Sequence, residues 1–367
     1  MYWLVLIFLL PYLFLISKIY LKLKGLKPFK PSGIHTKFVT VVAACRNEED
    51  NLPIILKHLA GQEYDQDLFE VIIVDDNSSD NTFETVSSFT GIKNLAVIRN
   101  SGKGKKQALR TGIAAARGDL LITTDADCRM ESCWLKTIVS FSGENKPDMI
   151  ILPVAPAEGK TLPGKFQELE FLSLQGITAG TALGKDPVMC NGANLSFTKK
   201  LYQECSHDLH DELASGDDVF LLHKAKKEKG NSILWLESPG AMVKTLPAPS
   251  LGSFLKQRAR WISKAGAYRD ASTVILGLAT FFAICLQAGV MTAGIFDPAF
   301  IPLFLVVFVL KSAADSFILF NTAKRYKRMG LMYIFPLAEI IYPFYVLAVI
   351  IYSVIRGKKV WRAPVKS

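Results

Sequence analysis

Four carboxylates close two apolar runs in the first half of this 367-residue chain: Asp75 and Asp76 end EVIIVDD, and Asp125 and Asp127 end LLITTDAD. An apolar run that turns acidic at its carboxyl end reads as a strand delivering ligand groups to the edge of an open α/β sheet. Asp125 and Asp127 stand one residue apart, so both side chains can point to one side and share a divalent cation. A hard divalent cation would suit that pair, because such ions take oxygen ligands and commonly keep a substrate phosphate as well. The chemistry indicated is a metal-assisted phosphate or nucleotide site. At Asp75 and Asp76 an acidic group can accept hydrogen bonds from the N–H or hydroxyl donors of a nucleotide. The following NSSD also reads as an Asx turn capping the next helix. Capping accounts for Asn77 to Asp80 but not for two consecutive carboxylates at a strand end.

Three further groupings have both a chemical and a plain reading. Lys103-Gly104-Lys105-Lys106 lacks the leading glycine and the Ser or Thr of a phosphate-hydrolase loop. It is either a contact to a diphosphate through Lys105 or the solvated start of a helix. Asp217 and Asp218 can cap the helix DDVFLLHKAKKEK through its dipole. They can also supply a carboxylate base for a hydroxyl acceptor, and the segment Gln257-Arg258-Ala259-Arg260-Trp261 adds planar donors and an aromatic platform. The same segment can be an interfacial Arg and Trp anchor, and the two readings are compatible.

The elements that must position these residues alternate. Strands are expected at 38–45, 70–76, 95–100, 120–125 and 149–154, with helices from Asn51 to Ala60 and Lys105 to Ala116. That alternation predicts a mostly parallel sheet covered by helices on both faces. Beyond it, a helix is expected from Pro163 to Thr178, a loop or short strand with a glycine turn at 189–197, and a helix at 217–229.

Mean hydropathy is +0.25, and the apolar excess lies at 1–21 and 271–355. The first run matches the roughly 20 residues needed to cross a bilayer. No positive charge precedes it and no small-residue cleavage site follows it, which argues against a removed leader. Lys18, Lys22, Lys24, Lys27, Lys30 and Lys37 come after it, placing its amino end outside and the next domain in the cytoplasm. Residues 271–296 carry no charge and form the clearest span. A second runs to about Asn321, with Lys311 and Asp315 at i and i+4, able to pair. Residues 331–355, with Pro336, Glu339 and Pro343, either span once or bend back. The division expected is an anchor at 1–22, a cytoplasmic domain at 38–249, an amphipathic interfacial helix at 250–270, membrane helices at 271–355 and a basic tail at 356–367. The net charge of +10 gathers beside these apolar segments, which points to anionic headgroups and not to nucleic acid. Six cysteines form no paired framework, as expected of cytoplasmic thiols. Cys205, His207 and His210 fit no common zinc spacing and lack a fourth ligand.

Taken in order, Arg46-Asn47-Glu48, VDDNSSD, GKKQAL with ARGD, TDAD, CNGAN, GDD and QRARW resemble the family 2 glycosyltransferases, inverting GT-A enzymes that include cellulose, chitin and hyaluronan synthases and ceramide glucosyltransferase. The resemblance covers about residues 38–262. It implies a GT-A nucleotide-sugar-binding domain in which Arg46, Glu48, Asp75, Asp76, Lys105 and Asp125 hold an NDP-sugar. Asp125 and Asp127 correspond to the DXD that binds Mg²⁺ or Mn²⁺, Asp218 to the general base, and Asp217, Gln257, Arg260 and Trp261 to the acceptor and diphosphate side. One departure is Cys128 after the DAD, at a position outside the motif. The family implies uridine diphosphate, with GDP open. Its expected setting is a bacterial inner membrane. The leading expectation is sugar transfer to a membrane lipid or lipid-linked hydroxyl. The others are a processive polysaccharide synthase, for which three or four spans offer little channel, and a non-catalytic scaffold, against which the full set of carboxylates argues.

Overall fold

The computed structural model describes residues 2–207, 209, 210, 213, 216–229 and 232–356. Nearly all of the basic tail expected at 356–367 lies outside them. In chain order the first half comprises α1 (Leu10–Lys24), β1 (Val39–Cys45), α2 (Leu52–Ala60), β2 (Phe69–Asp75), α3 (Thr82–Ser87), β3 (Leu95–Arg99), α4 (Lys105–Ala115), β4 (Leu120–Asp125), β5 (Arg129–Met130), α5 (Trp134–Asn145), β6 (Met149–Ile151) and β7 (Val154–Pro156). There follow α6 (Leu162–Leu183), β8 (Asn194–Thr198), α7 (Lys199–Cys205), α8 (Asp217–Lys229), β9 (Ile233–Trp235), β10 (Val243–Thr245), α9 (Leu251–Ile262), α10 (Ala271–Phe296), α11 (Ile301–Arg325) and α12 (Phe335–Arg356). Two compact units result: Leu26–Ala157 with Lys185–Leu246, and Met1–Gly25 with Glu158–Gly184 and Pro247–Ser367.

The first unit is built on a seven-stranded sheet of order β3-β2-β1-β4-β8-β6-β9. β1 pairs in parallel with β2 and with β4, and β2 in parallel with β3. β8 runs antiparallel to β4 and β6, and β9 parallel to β6. From β1 the chain goes one way to β2 and β3 and the other way to β4, which makes the β1–β4 boundary a topological switch point. The register brings Cys45 opposite Asp75 and Ala44 opposite Asp125, so the acidic strand ends lie at one level.

β1 is apolar but for Thr40 because both its faces are covered. Val39, Val41 and Ala43 join a core with Leu52, Ile55 and Leu59 of α2 and Trp134, Leu135 and Ile138 of α5. Val42 faces α4, where a Cβ on Gly112 would lie 2.5 Å from its Cγ1. Only glycine lets that helix approach so closely. The run expected as one strand at 149–154 splits into β6 and β7, which enter different sheets: β7 pairs with β10, and β10 with β5. Pro153 has no N–H for the first sheet's ladder, which fits a break there.

The second unit contains four helices long and apolar enough to cross a membrane: Leu4–Lys24, Ala271–Phe296, Pro298–Arg325 and Met329–Ile355. α6 extends beyond the expected Pro163 to Thr178 and belongs to this unit, not to the sheet. Its Gly176 and Gly180, spaced GxxxG, let neighbouring helices close in. Cβ atoms there would lie 2.5 Å from Ile318 Cγ2 and 2.4 Å from Ile19 Cγ2.

The segment whose path was open in the sequence forms one helix, α12, with Pro343 inside it. Pro343 cannot donate to the carbonyl of Glu339 four residues back; Gln287 Nε2 of α10 does so instead, at 3.1 Å. Lys311, 1% exposed, pairs with Asp315 at 2.8 Å as the spacing predicts. It also pairs with Glu339, while Tyr12 donates to Asp315.

Candidate functional site

The loops after β1 and β2 are tied together by short polar side chains. Asn47, at φ 56°, donates its N–H to Ser78 Oγ at 2.9 Å, and its Oδ1 accepts from Ser79 N at 2.8 Å. Glu48 N donates to Thr82 Oγ1 at 2.8 Å, and Asn51 Nδ2 donates to the Glu48 carboxylate at 2.8 Å. Arg46 is exposed at the end of β1. Asp75, buried, accepts from Ser78 N at 3.1 Å, and the Asx turn is made by Asp80, whose Oδ1 accepts from Thr82 N at 3.1 Å two residues on. Asp76 does different work: Oδ1 accepts from Asn100 Nδ2 at 2.7 Å and from Gly104 N at 2.8 Å, and Oδ2 from Gly104 N at 2.9 Å. Gly104, at φ 93°, sits where a side chain would be strained, and it leads directly into α4 with Lys105 as first residue.

Lys105 Nζ bonds Asp125. Burial opposes its charge, but Asp125, Asp217 and Asp218 outweigh burial and hold the ammonium well above the usual lysine range. One lysine thus faces both acidic motifs. Asp127 Oδ2 accepts from Thr245 Oγ1 of β10 at 2.8 Å. Burial, and then the charge of Asp125, push the Asp127 carboxyl above the usual range. Burial, opposed by Asn51 and aided by Asp127 and Asp125, raises Glu48 as well. Burial followed by the same two aspartates keeps the Cys128 thiol neutral.

Two oxygen donors with negative charge in excess are what a hard divalent cation complements. Among the described residues no group of three or more His, Cys, Asp or Glu is arranged to hold a metal, which also covers Cys205, His207 and His210. Asp125 and Asp127 therefore fit a cation that would draw its other ligands from water and a diphosphate.

Asp217 and Asp218 open α8 after Gly216, at φ 92°. Each oxygen of Asp218 is oriented by one backbone donor, Oδ2 by Gly192 N at 2.9 Å and Oδ1 by Val219 N at 2.8 Å. Carboxylate oxygens have two lone pairs, so each keeps one for a further proton. Burial and the adjacent Asp218 raise the Asp217 carboxyl, with Lys105 opposing. The Gly192 loop is fixed in turn: Thr123 Oγ1 donates to its carbonyl at 2.8 Å, and Asn194 Nδ2 reaches the carbonyls of Pro153 and Ala241, each at 2.8 Å.

The sheet unit thus contains Arg46, Glu48, Asp75, Asp76, Lys105, Asp125, Asp127, Asp217 and Asp218. Gln257, Arg260 and Trp261 belong to α9 of the other unit, whose start carries a Ser250–Ser253 capping box. There Arg258, between the expected ligands, is engaged by Glu170 in a bidentate pair. Thr245, the Gly192 amide and Glu170 escaped sequence reasoning. Glu170 lies in QELEFL, where three of six residues are polar and nothing local marks it.

Residues 40–205 match the family model described as Glycosyl transferase family 2. Over 96 residues the chain is 38% identical to undecaprenyl-phosphate 4-deoxy-4-formamido-L-arabinose transferase of Aeromonas hydrophila subsp. hydrophila, covering 25% of this chain and 29% of that one. Over 226 residues it is 26% identical to poly-beta-1,6-N-acetyl-D-glucosamine synthase of Staphylococcus aureus, covering 61% and 53%. The chain therefore spans about half or less of the length of these curated relatives. A solved mannosyltransferase, PcManGT from Pyrobaculum calidifontis in complex with GDP-Man and Mn²⁺, shares the fold with a TM-score of 0.60 at 16% identity, over 97% of this chain and 100% of that one. The chain carries a glycosyl transferase family 2 domain, on a GT-A-like, mostly parallel sheet accompanied by one amino-terminal and three carboxyl-terminal apolar helices.

Proposed function

We propose that this chain is an inverting glycosyltransferase that moves a sugar from a nucleoside diphosphate to a hydroxyl of a membrane lipid or lipid-linked acceptor. The observation that carries this reading is the single ammonium of Lys105, bonded to Asp125 of the DAD and electrostatically coupled to Asp217 and Asp218. Donor-side and base-side carboxylates thereby share one centre.

In this reading Arg46, Glu48, Asp75 and Asp76 line the nucleotide side. Asp125 and Asp127 would hold Mg²⁺ or Mn²⁺, which when bound supplies positive charge at the diphosphate. Asp218 takes the proton from the acceptor hydroxyl as its oxygen attacks the anomeric carbon. The bond from that carbon to the diphosphate breaks, its electron pair leaves with the diphosphate, and Lys105 offsets the charge that develops. A single displacement turns an α-linked donor into a β-linked product. The family resemblance alone assigns Asp217, Gln257, Arg260 and Trp261 to the acceptor and diphosphate side.

The lipid acceptor is favoured by the amphipathic α9 directly before α10 and by the similarity to an undecaprenyl-phosphate transferase. Lysines after the first apolar helix and the basic loop Lys324 to Arg328 support a cytoplasmic sheet domain. The bound ligands of PcManGT support a divalent metal and leave GDP beside UDP as the nucleotide. A second reading, a polymerising synthase, is supported by the 226-residue similarity to poly-N-acetylglucosamine synthase.

The test is to incubate membranes containing the protein with labelled NDP-sugars, with and without chelator, then extract lipid and determine product mass. One added sugar per lipid supports the first reading and a long glycan the second. Asp218→Asn should lower transfer by about 10²- to 10⁴-fold with donor affinity nearly unchanged. Retained turnover in that variant sinks the assignment of the base.

A further inference from the structure

Within the helical unit, the first arginine of QRARW is buried and engaged by protein partners through all three of its nitrogens. Arg258 Nε donates to Glu170 Oε1 at 2.9 Å and Oε2 at 3.0 Å, and Nη2 donates to Oε2 at 2.6 Å. Nη1 donates to Oε1 of the adjacent Gln257. The guanidinium carbon lies 4.1 Å from the centre of the Trp261 ring and 4.6 Å from that of Phe254. One planar group thus fixes Gln257 on one side and Trp261, a turn further along α9, on the other.

Glu170 makes this arrangement possible. The Arg258 and Glu170 side chains are only 7% and 8% exposed, and a guanidinium so enclosed requires a charge partner with matching geometry. Tyr345 of α12 steadies the carboxylate, donating to Oε1 at 3.3 Å, and its ring stacks on Phe254 at 5.4 Å and 8°.

We propose that Glu170 is the positioning residue of the QRARW segment: through Arg258 it sets the Gln257 amide and the Trp261 ring. The effect on transfer rests on the reading above, in which Gln257 and Trp261 meet the diphosphate and the acceptor. The effect on Trp261 does not rest on it.

The experiment uses the full chain in detergent micelles. Trp261 emission is isolated from that of the other four tryptophans by difference against Trp261→Phe, and its quenching by iodide is measured without any sugar nucleotide. Glu170→Gln keeps size and removes charge. The expected result is quenching raised about twofold or more, with a transfer kcat lower by about a hundredfold, since small misplacements of positioned groups have effects of that order. Donor KM should stay within about twofold, and Glu170→Asp should recover part of both losses.

Arg258→Lys is the second variant, because it keeps the charge and loses the fork that reaches Gln257. It should show the same two changes if Glu170→Gln does not fold. Wild-type quenching in a folded Glu170→Gln or Arg258→Lys protein overturns the proposal, as does a kcat unchanged while quenching rises. If the wild-type chain transfers no sugar at all, the functional reading fails while the quenching comparison still decides whether Glu170 positions Trp261.

Discussion

Replacing Asp76 with Asn leaves the size of the side chain nearly unchanged and removes one acceptor. The carboxylate takes Asn100 Nδ2 at 2.7 Å and Gly104 N at 2.8 and 2.9 Å, in a residue only 6% exposed. An amide that keeps its oxygen at the Oδ1 position retains Asn100 and one arm of the Gly104 bond, but replaces the other arm by an NH₂ facing the Gly104 N–H, donor against donor. A charge-assisted bond is then lost where water cannot replace it, a destabilisation of about 2 kcal/mol. For a sheet unit of about 200 residues this lowers the unfolding midpoint by about 4–8 °C, read by circular dichroism of the full chain in detergent. Gly104 leads into α4 and Lys105, so affinity for the sugar nucleotide should fall alongside stability. An unchanged midpoint would refute this, since Asp76 would then not be the frame of the 100–104 loop.

Two further outcomes follow from packing and charge. Burial tends to raise the Glu70 carboxyl, but hydrogen bonds from Thr40 and Arg117 outweigh it and hold the group below its usual range. A depressed carboxyl stabilises the fold above its unfolded pKa, and that stability is lost as pH falls through the folded value. The deficit of Glu70→Gln in thermal unfolding should therefore be full at pH 7 and shrink below about pH 4; a deficit constant with pH would contradict it. Gly180→Val should abolish a monodisperse, folded protein in detergent, because a Cβ there would already lie 2.4 Å from Ile19 Cγ2 and 3.0 Å from the Ile19 carbonyl oxygen. Size-exclusion chromatography showing a normal variant would place α1 elsewhere.

What could be read in the sequence was what neighbouring residues encode. β1, β2 and β4 announce themselves by apolar runs, and Asp75 and Asp125 by closing them. α8 announces itself by its acidic start. β5, β9 and β10 are two or three residues long, too short for any periodicity to register. The contact of Thr245 with Asp127 joins positions 118 apart and that of Glu170 with Arg258 positions 88 apart, so neither leaves a local trace. Arg258 was passed over for a related reason: spacing identifies QRARW as a unit, while burial alone distinguishes the arginine that faces Glu170. The proline at 153 was visible, but its consequence, one apolar run shared between two sheets, required the partner strands.

The charges buried among the apolar helices bear on how the chain can be assembled in a bilayer. Lys311 serves two carboxylates, Asp315 on its own helix and Glu339 on the next, and Gln287 of α10 satisfies the carbonyl that Pro343 leaves open. A charged side chain at the centre of a bilayer costs about 2.5–3.5 kcal/mol even on insertion scales. α12 entering lipid by itself would bring both an unpaired carboxylate and an orphan carbonyl. In a bilayer, release of α11 and α12 as a hairpin against an α10 already in place would leave neither unmatched, an order of insertion set by Lys311, Glu339 and Gln287.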